Sequence, residues 1–69
     1  MKKFKIIFEI HLDRDHKDYK EIIIEAGNKK VASIRAMYEI GKFQEYSGLF
    51  KNMISVEEVK DLGDQGSNV

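Results

Sequence analysis

The chain has 69 residues, with twelve basic and twelve acidic side chains, and carries no formal net charge at pH 7. This length fits one domain, and a chain this short buries only about 60% of the surface that its unfolded form exposes. The absence of cysteine excludes disulfides and zinc sites built on thiolates. The even charge gives no general excess for binding nucleic acid or imitating it. Stability must therefore come from packing or from self-association.

Two segments with alternating apolar residues predict the first two strands. Residues 3–12 and 19–26 each alternate with period two, and the charged residues 13–18 between them predict a hairpin loop. The positions expected to face inward are Phe4, Ile6, Phe8, Ile10, Leu12, Ile22, Ile24 and Ala26. Antiparallel pairing is expected to bring Lys3 and Lys5 near Glu21 and Glu25, and Ile7 near Ile23 on the outer face.

A helix is predicted to follow Gly27, with Asn28 as its N-cap. Its end is open between Gly41, which suits the left-handed conformation of many helix ends, and Tyr46. Residues 53–59 predict a third strand, with Ile54 and Val56 facing the core. Because two glutamates interrupt the alternation there, Val59 would reach the core only through a bulge or a bend.

These elements predict an α+β fold of ββαβ order, in which one helix packs on a three-stranded sheet that contains an antiparallel hairpin. The simplest topology places the third strand beside the first. We expect residues 1–62 to form a single domain, with Leu62 at the bottom of the core, and the polar residues 63–69 to form a flexible tail.

The helix has two separate apolar stripes. Ala32, Ala36, Ile40 and Phe43 fall within roughly 80° of one another, and Val31, Ile34 and Tyr38 form a second stripe within roughly 60°. A helix on one small sheet needs only one of them. Either Ala32 and Ala36 face the sheet and the second stripe is exposed, or the helix is rotated and the second stripe lies in the core.

Candidate sites for metal or acid–base chemistry are weak. Asp13, Asp15, His16 and Asp18 supply oxygen and nitrogen ligands, but Arg14 and Lys17 stand among them, and the glycine and glutamate of an EF-hand loop are missing. His11 is expected to face outward on a strand, and His16 to lie in the charged loop. We expect no cofactor, no metal and no enzymatic activity.

Nucleic acid is an alternative partner. Lys29, Lys30, Arg35 and Lys42 lie on or near the helix, and Phe43 and Tyr46 follow it closely. Proteins that bind single strands combine cations with aromatic rings in this way. Against this reading, the lysines point in different directions around the helix, and Glu39 and Glu45 dilute the positive charge.

The stretch IIIEAGNKKVASIRAMYEI followed by ISVEEV resembles small phage-encoded proteins of strand-strand-helix-strand layout, such as the T7-type inhibitor of host RNA polymerase. The resemblance is one of pattern and length. It implies a phage or prophage protein that binds a host macromolecule in the cytoplasm of the host cell.

The sequence thus predicts a non-enzymatic protein-interaction module that binds and modulates a host protein complex or forms a homodimer. The residues expected to bind the partner are Val31, Ile34, Arg35, Tyr38 and Lys42. No stretch approaches the roughly 20 apolar residues of a membrane span, and so no membrane is expected as a partner.

Overall fold

A computed structural model describes residues 1–60 of the chain. Its elements in chain order are strand β1 (Lys2–His11), strand β2 (Lys17–Ala26), helix α1 (Lys29–Ile40), a short 3-10 helix (Gln44–Tyr46) and strand β3 (Phe50–Val59). The predicted α+β class and ββαβ order are confirmed. Leu62 and the predicted tail, residues 63–69, lie outside the described residues.

The three strands form one antiparallel sheet in the order β2-β1-β3. β1 is central, and within residues 1–60 no strand pairs with the outer edge of β2 or β3. The predicted placement of the third strand beside the first is therefore confirmed. α1 covers one face of this sheet and lies nearest to β2.

The hairpin has a regular register. The cross-strand pairs on the outer face, away from the helix, are Lys3 with Glu25, Lys5 with Ile23, Ile7 with Glu21, Glu9 with Tyr19, and His11 with Lys17. Lys3 meets a glutamate as predicted, whereas Ile7 and Ile23 are diagonal neighbours and not a direct pair. β2 begins at Lys17, two residues before the predicted start, because residues 17 and 18 still pair with β1.

The core lies between the inner face of the sheet and α1. Its buried side chains are Phe4, Ile6, Phe8, Ile10, Ile24, Ala26, Ala32, Ala36, Ile40 and Tyr46. Ile22 and Val56 are partly buried against this core, as are Phe43, Leu49 and Met53. Leu12 was expected inside but is exposed, because β1 ends at His11.

A β-bulge corrects the prediction for β3. Ile7 pairs with Ser55 and Phe8 with Met53, so that Ile54 is an extra residue in the strand. The side chain of Ile54 is 48% exposed, and the prediction that it faces the core is wrong. Met53 takes the inward position instead, since one inserted residue reverses the alternation on one side of it.

Helix α1 begins as predicted. The side chain of Asn28 accepts a hydrogen bond of 2.9 Å from the backbone N–H of Val31, which is the N-cap arrangement. The helix ends at Ile40 with Gly41 as C-cap, but Gly41 has a φ of −68°, in the right-handed region. The left-handed glycine is Gly48, with a φ of +78°, in the turn before β3.

Candidate functional site

Helix α1 packs with its small residues inward. Ala32, Ala36 and Ile40 are the buried positions of the helix. Alanine lets a helix approach a sheet closely because it has no side chain beyond Cβ, but it also buries little apolar surface. The alternative rotation, with Ile34 and Tyr38 in the core, is wrong, since both side chains are exposed.

The larger apolar residues of α1 therefore face away from the sheet. Ile34, Met37 and Tyr38 are 48%, 62% and 73% exposed, and together they line a shallow depression of about 400 Å³. Met37 and Tyr38 lie three and four residues after Ile34, the spacings at which helical side chains become neighbours. We call these three residues the helix patch.

The predicted site residues thus separate into two groups. Ile34 and Tyr38 belong to the helix patch, whereas Val31 is partly buried against the core. Arg35 and Lys42 make polar contacts instead: Arg35 binds the backbone of β2, and the Lys42 amine lies 3.2 Å from the Glu39 carboxylate.

Met37 was missed by the sequence analysis. It occupies the gap between the two apolar stripes, where a single residue extends neither of them. Its position three residues after Ile34 was the signal that could have placed it in the patch.

A groove runs between α1 and β2. Its lining residues are Ile22, Ile23, Ile24, Glu25, Arg35, Tyr38 and Glu39, and its volume is about 430 Å³. Arg35 closes it at one point, because its Nη1 donates a hydrogen bond of 2.6 Å to the carbonyl oxygen of Glu25. Tyr38 borders both the groove and the helix patch, so the two surfaces are continuous.

The aromatic residues proposed to stack on nucleic acid bases are not available for stacking. Tyr46 is buried, and the ring of Phe43 stacks on it with centroids 6.0 Å apart. The amine of Lys20 covers Phe43 at 4.7 Å from its ring centroid. These contacts use both rings to close the core beyond the end of α1.

The hydroxyl of Tyr46 ties this segment to β2. It donates a hydrogen bond of 3.2 Å to Oδ2 of Asp18. Burial raises the pKa of Tyr46 above its ordinary value of 10.0, and the negative charge of Asp18 adds to the effect. Folding therefore favours the protonated hydroxyl.

The histidines and carboxylates form local pairs. His11 donates to Glu9 at 3.0 Å on the outer face of the sheet, and its ring packs edge-on against Phe50. This bond, helped by Lys17, lowers the pKa of Glu9. In the hairpin loop, the bond from His16 lowers the pKa of Asp13. Within residues 1–60, no three His, Asp or Glu side chains gather as a metal site would require.

Comparisons with protein-family models, curated proteins and solved structures found no match to this chain. None of the helices in the described part of the chain is long and apolar enough to cross a membrane.

Proposed function

We infer that this protein is a non-enzymatic protein-interaction module and that the helix patch is the centre of its contact surface. One observation carries the proposal: α1 buries alanines and exposes Ile34, Met37 and Tyr38. Contiguous exposed apolar side chains on a small domain mark interaction surfaces. Tyrosine and methionine are also enriched in such interfaces.

The surroundings of the patch suit an interface. Arg35 and Glu39 form a polar border on the side that faces β2, and the Lys42 amine pairs with Glu39. Interfaces commonly combine an apolar centre with a polar, hydrated rim. Four of the five residues predicted from the sequence contribute to this surface in the proposal, with Ile34 and Tyr38 at the centre and Arg35 and Lys42 at the rim, whereas Val31 packs against the core.

The partner class in this proposal is a host protein complex or a second copy of the chain. The first rests on the resemblance of the sequence pattern to small phage-encoded inhibitors, which is also why we propose a phage or prophage origin and action in the host cytoplasm. Sedimentation of the free protein separates the two, since only self-association depends on its own concentration.

The test is Ile34→Asp. A charge in the centre of the patch should abolish capture of the partner from a host lysate, or dissociate the homodimer. Because Ile34 is half exposed, its replacement should change the free energy of unfolding by less than about 1 kcal/mol. Pull-down with mass spectrometry, sedimentation and thermal melting measure these effects.

Ile54→Asp is the matched control. Ile54 has the same exposed fraction of 48% but lies on β3, away from the helix patch. It should leave association intact. Equal loss of association in both variants would contradict the proposal, and so would unchanged association in Ile34→Asp.

A further inference from the structure

The free edge of β2 is a second surface beside the helix patch. Two hydrogen bonds outside the sheet show which residues turn their backbone groups toward it. The N–H of Tyr19 donates to Asp18 Oδ1 at 2.9 Å, and the carbonyl of Glu25 accepts from Arg35. Along an antiparallel strand, residues alternate between facing one neighbour and facing the other. The odd-numbered residues of β2 therefore face the free edge.

Glu21 and Ile23 lie between these two bonded ends. Within residues 1–60, no group outside the sheet ladder bonds to the backbone N–H or C=O of either residue. Their donors and acceptors alternate along a regular strand, which is the arrangement that an added strand requires.

The other edge of the sheet differs. β3 is interrupted by the bulge at Ile54, and bulges twist an edge strand away from further pairing. β2 pairs with β1 along all ten of its residues without a shift in register. Of the two edges, β2 is the one suited to accept a strand.

The charges beside this edge select the incoming strand. Glu21 and Glu25 are exposed on the outer face, with Ile23 between them, and neither forms a salt bridge with residues 1–60. Opposite charges across neighbouring strands stabilise the pairing, and like charges directly opposite destabilise it. A matching strand carries basic residues four apart, with an apolar residue midway.

A second copy of β2 does not meet this requirement. Twofold pairing centred on Glu21 places that glutamate opposite itself, and pairing centred on Ile23 places Glu21 opposite Glu25 of the other copy. Centring the pair on Ile22 leaves the glutamates of the two copies as diagonal neighbours. These three registers gather negative charge, and no register gives a copy of β2 two basic residues four positions apart.

From this edge, its charges and the adjoining groove, we propose that β2 binds an extended segment of a partner protein with the pattern basic, any, apolar, any, basic. The segment adds a fourth strand to the sheet. Its basic residues lie opposite Glu21 and Glu25, and its apolar residue lies opposite Ile23. The side chains at its two unspecified positions enter the groove beside Ile22, Ile24 and Tyr38. This inference rests on the proposed function, since it assigns the kind of partner that reaches the helix patch.

The probe is the capped heptapeptide Thr-Lys-Val-Val-Thr-Lys-Thr, titrated into the full chain while amide hydrogen exchange is followed by NMR. Binding should slow exchange at Glu21 and Ile23 by about tenfold or more, because their N–H groups become hydrogen-bonded. The peptide with both lysines replaced by glutamate should bind about tenfold more weakly. N-methylation of its second valine, the residue opposite Ile23, should abolish binding, because the N–H of that residue donates to the Ile23 carbonyl in the added strand.

Two variants with the same change in net charge distinguish binding at the β2 edge from general electrostatic attraction of the peptide to the protein. Glu21→Lys should lower affinity for the lysine peptide and raise it for the glutamate peptide. Glu58→Lys, exposed on β3 at the other edge, should change neither. Equal effects of the two variants would overturn the inference, as would exchange protection confined to α1 or β3.

The outcome is distinguishable from failure of the proposed function. No protection of Glu21 and Ile23 by the peptide, combined with loss of partner capture in Ile34→Asp, would overturn the strand addition alone. A dimer of the free protein that dissociates on Glu21→Lys would also overturn it, because the occupant would then be a second copy.

Discussion

Tyr46 shows how a single residue can extend the core beyond the elements that form it. The chain leaves α1 at Ile40 and makes one turn of 3-10 helix, which places the Tyr46 ring in the core and its hydroxyl on Asp18 of β2. The ring supplies apolar burial at the end of the sheet that the helix does not reach. The hydroxyl fixes the position of the connecting segment relative to β2.

Removing this hydroxyl should weaken the fold measurably. Tyr46→Phe keeps the ring but loses the hydrogen bond to Asp18, which should lower the free energy of unfolding by about 1 kcal/mol near neutral pH. Urea denaturation followed by circular dichroism measures the change. Tyr38→Phe is the control, because that hydroxyl belongs to an exposed ring, and it should change stability by less than about 0.5 kcal/mol.

The contrast between Asn28 and Tyr46 shows what sequence reasoning can find at this scale. The N-cap is a local arrangement of a side chain and an amide three residues later, and so Asn28 was predicted correctly. Burial of Tyr46 depends on a partner 28 positions away in β2, and no local pattern indicates it. For the same reason, the sequence alone leaves Phe43 and Tyr46 as candidates for stacking on bases in the alternative function.

At the scale of elements, the alternation of apolar residues predicts the inward-facing side chains of β1 but not those of β3. Every second residue of β1 from Phe4 to Ile10 is apolar and is buried as predicted. β3 contains the bulge, so an uninterrupted period of two assigns Ile54 to the wrong face. A bulge is a property of the pairing between two strands, and one strand's sequence does not contain it.

Because of the bulge, we expect substitutions at two neighbouring positions of β3 to differ in their effect on the free energy of unfolding. Ile54→Thr should change the free energy of unfolding by less than about 0.5 kcal/mol, because Ile54 is half exposed. Met53→Thr should cost about 1–2 kcal/mol, because Met53 packs against the core and threonine leaves space and a hydroxyl there. Thermal melting of both variants measures the difference. A larger loss in Ile54→Thr would mean that β3 pairs in the uninterrupted register.

The helix illustrates how far the candidate site was predictable. Its two stripes could be counted from the sequence, but periodicity does not say which stripe meets the sheet. That choice depends on how closely the helix must approach β1 and β2, which favours Ala32 and Ala36. The edge of β2 was harder still to predict from the sequence. Which of its backbone N–H and C=O groups stay unpaired depends on which of them bond to β1.

At the scale of the whole molecule, α1 covers one face of the sheet and leaves the other face to charged, aromatic and a few aliphatic side chains, among them Ile7 and Ile23. Glu9 is the most connected of these, with His11 at 3.0 Å and Lys17 at 3.6 Å. The Asp13–His16 pair closes the adjoining hairpin loop at 2.8 Å. These pairs and the buried Tyr46 hydroxyl give the folded state a defined dependence on pH.

The free energy of unfolding should therefore be greatest at intermediate pH and fall on both sides. The lowered pKa values of Glu9 and Asp13 mean that the unfolded chain takes up their protons first, so stability is lost as pH falls from their ordinary values of 4.5 and 3.8 through the lowered values of the folded state. The raised pKa of Tyr46 means that the unfolded chain releases this proton first, so stability is lost above about pH 10. Urea denaturation at a series of pH values measures both limbs.

Substitutions test which side chain causes the loss of stability at acid pH and which causes the loss at alkaline pH. Glu9→Gln should reduce the acid limb, because glutamine has no proton to take up, and Tyr46→Phe should reduce the alkaline limb. Glu58→Gln, an exposed residue of β3 with no salt bridge within residues 1–60, should leave the acid limb as in the parent protein. If Glu9→Gln and Glu58→Gln gave the same acid limb, the Glu9–His11 pair would not be a source of pH-dependent stability. The Glu9–His11 pair lies on the outer face of the sheet and the helix patch on the opposite side of the molecule. The Glu9→Gln substitution therefore tests pH-dependent stability without altering the helix patch.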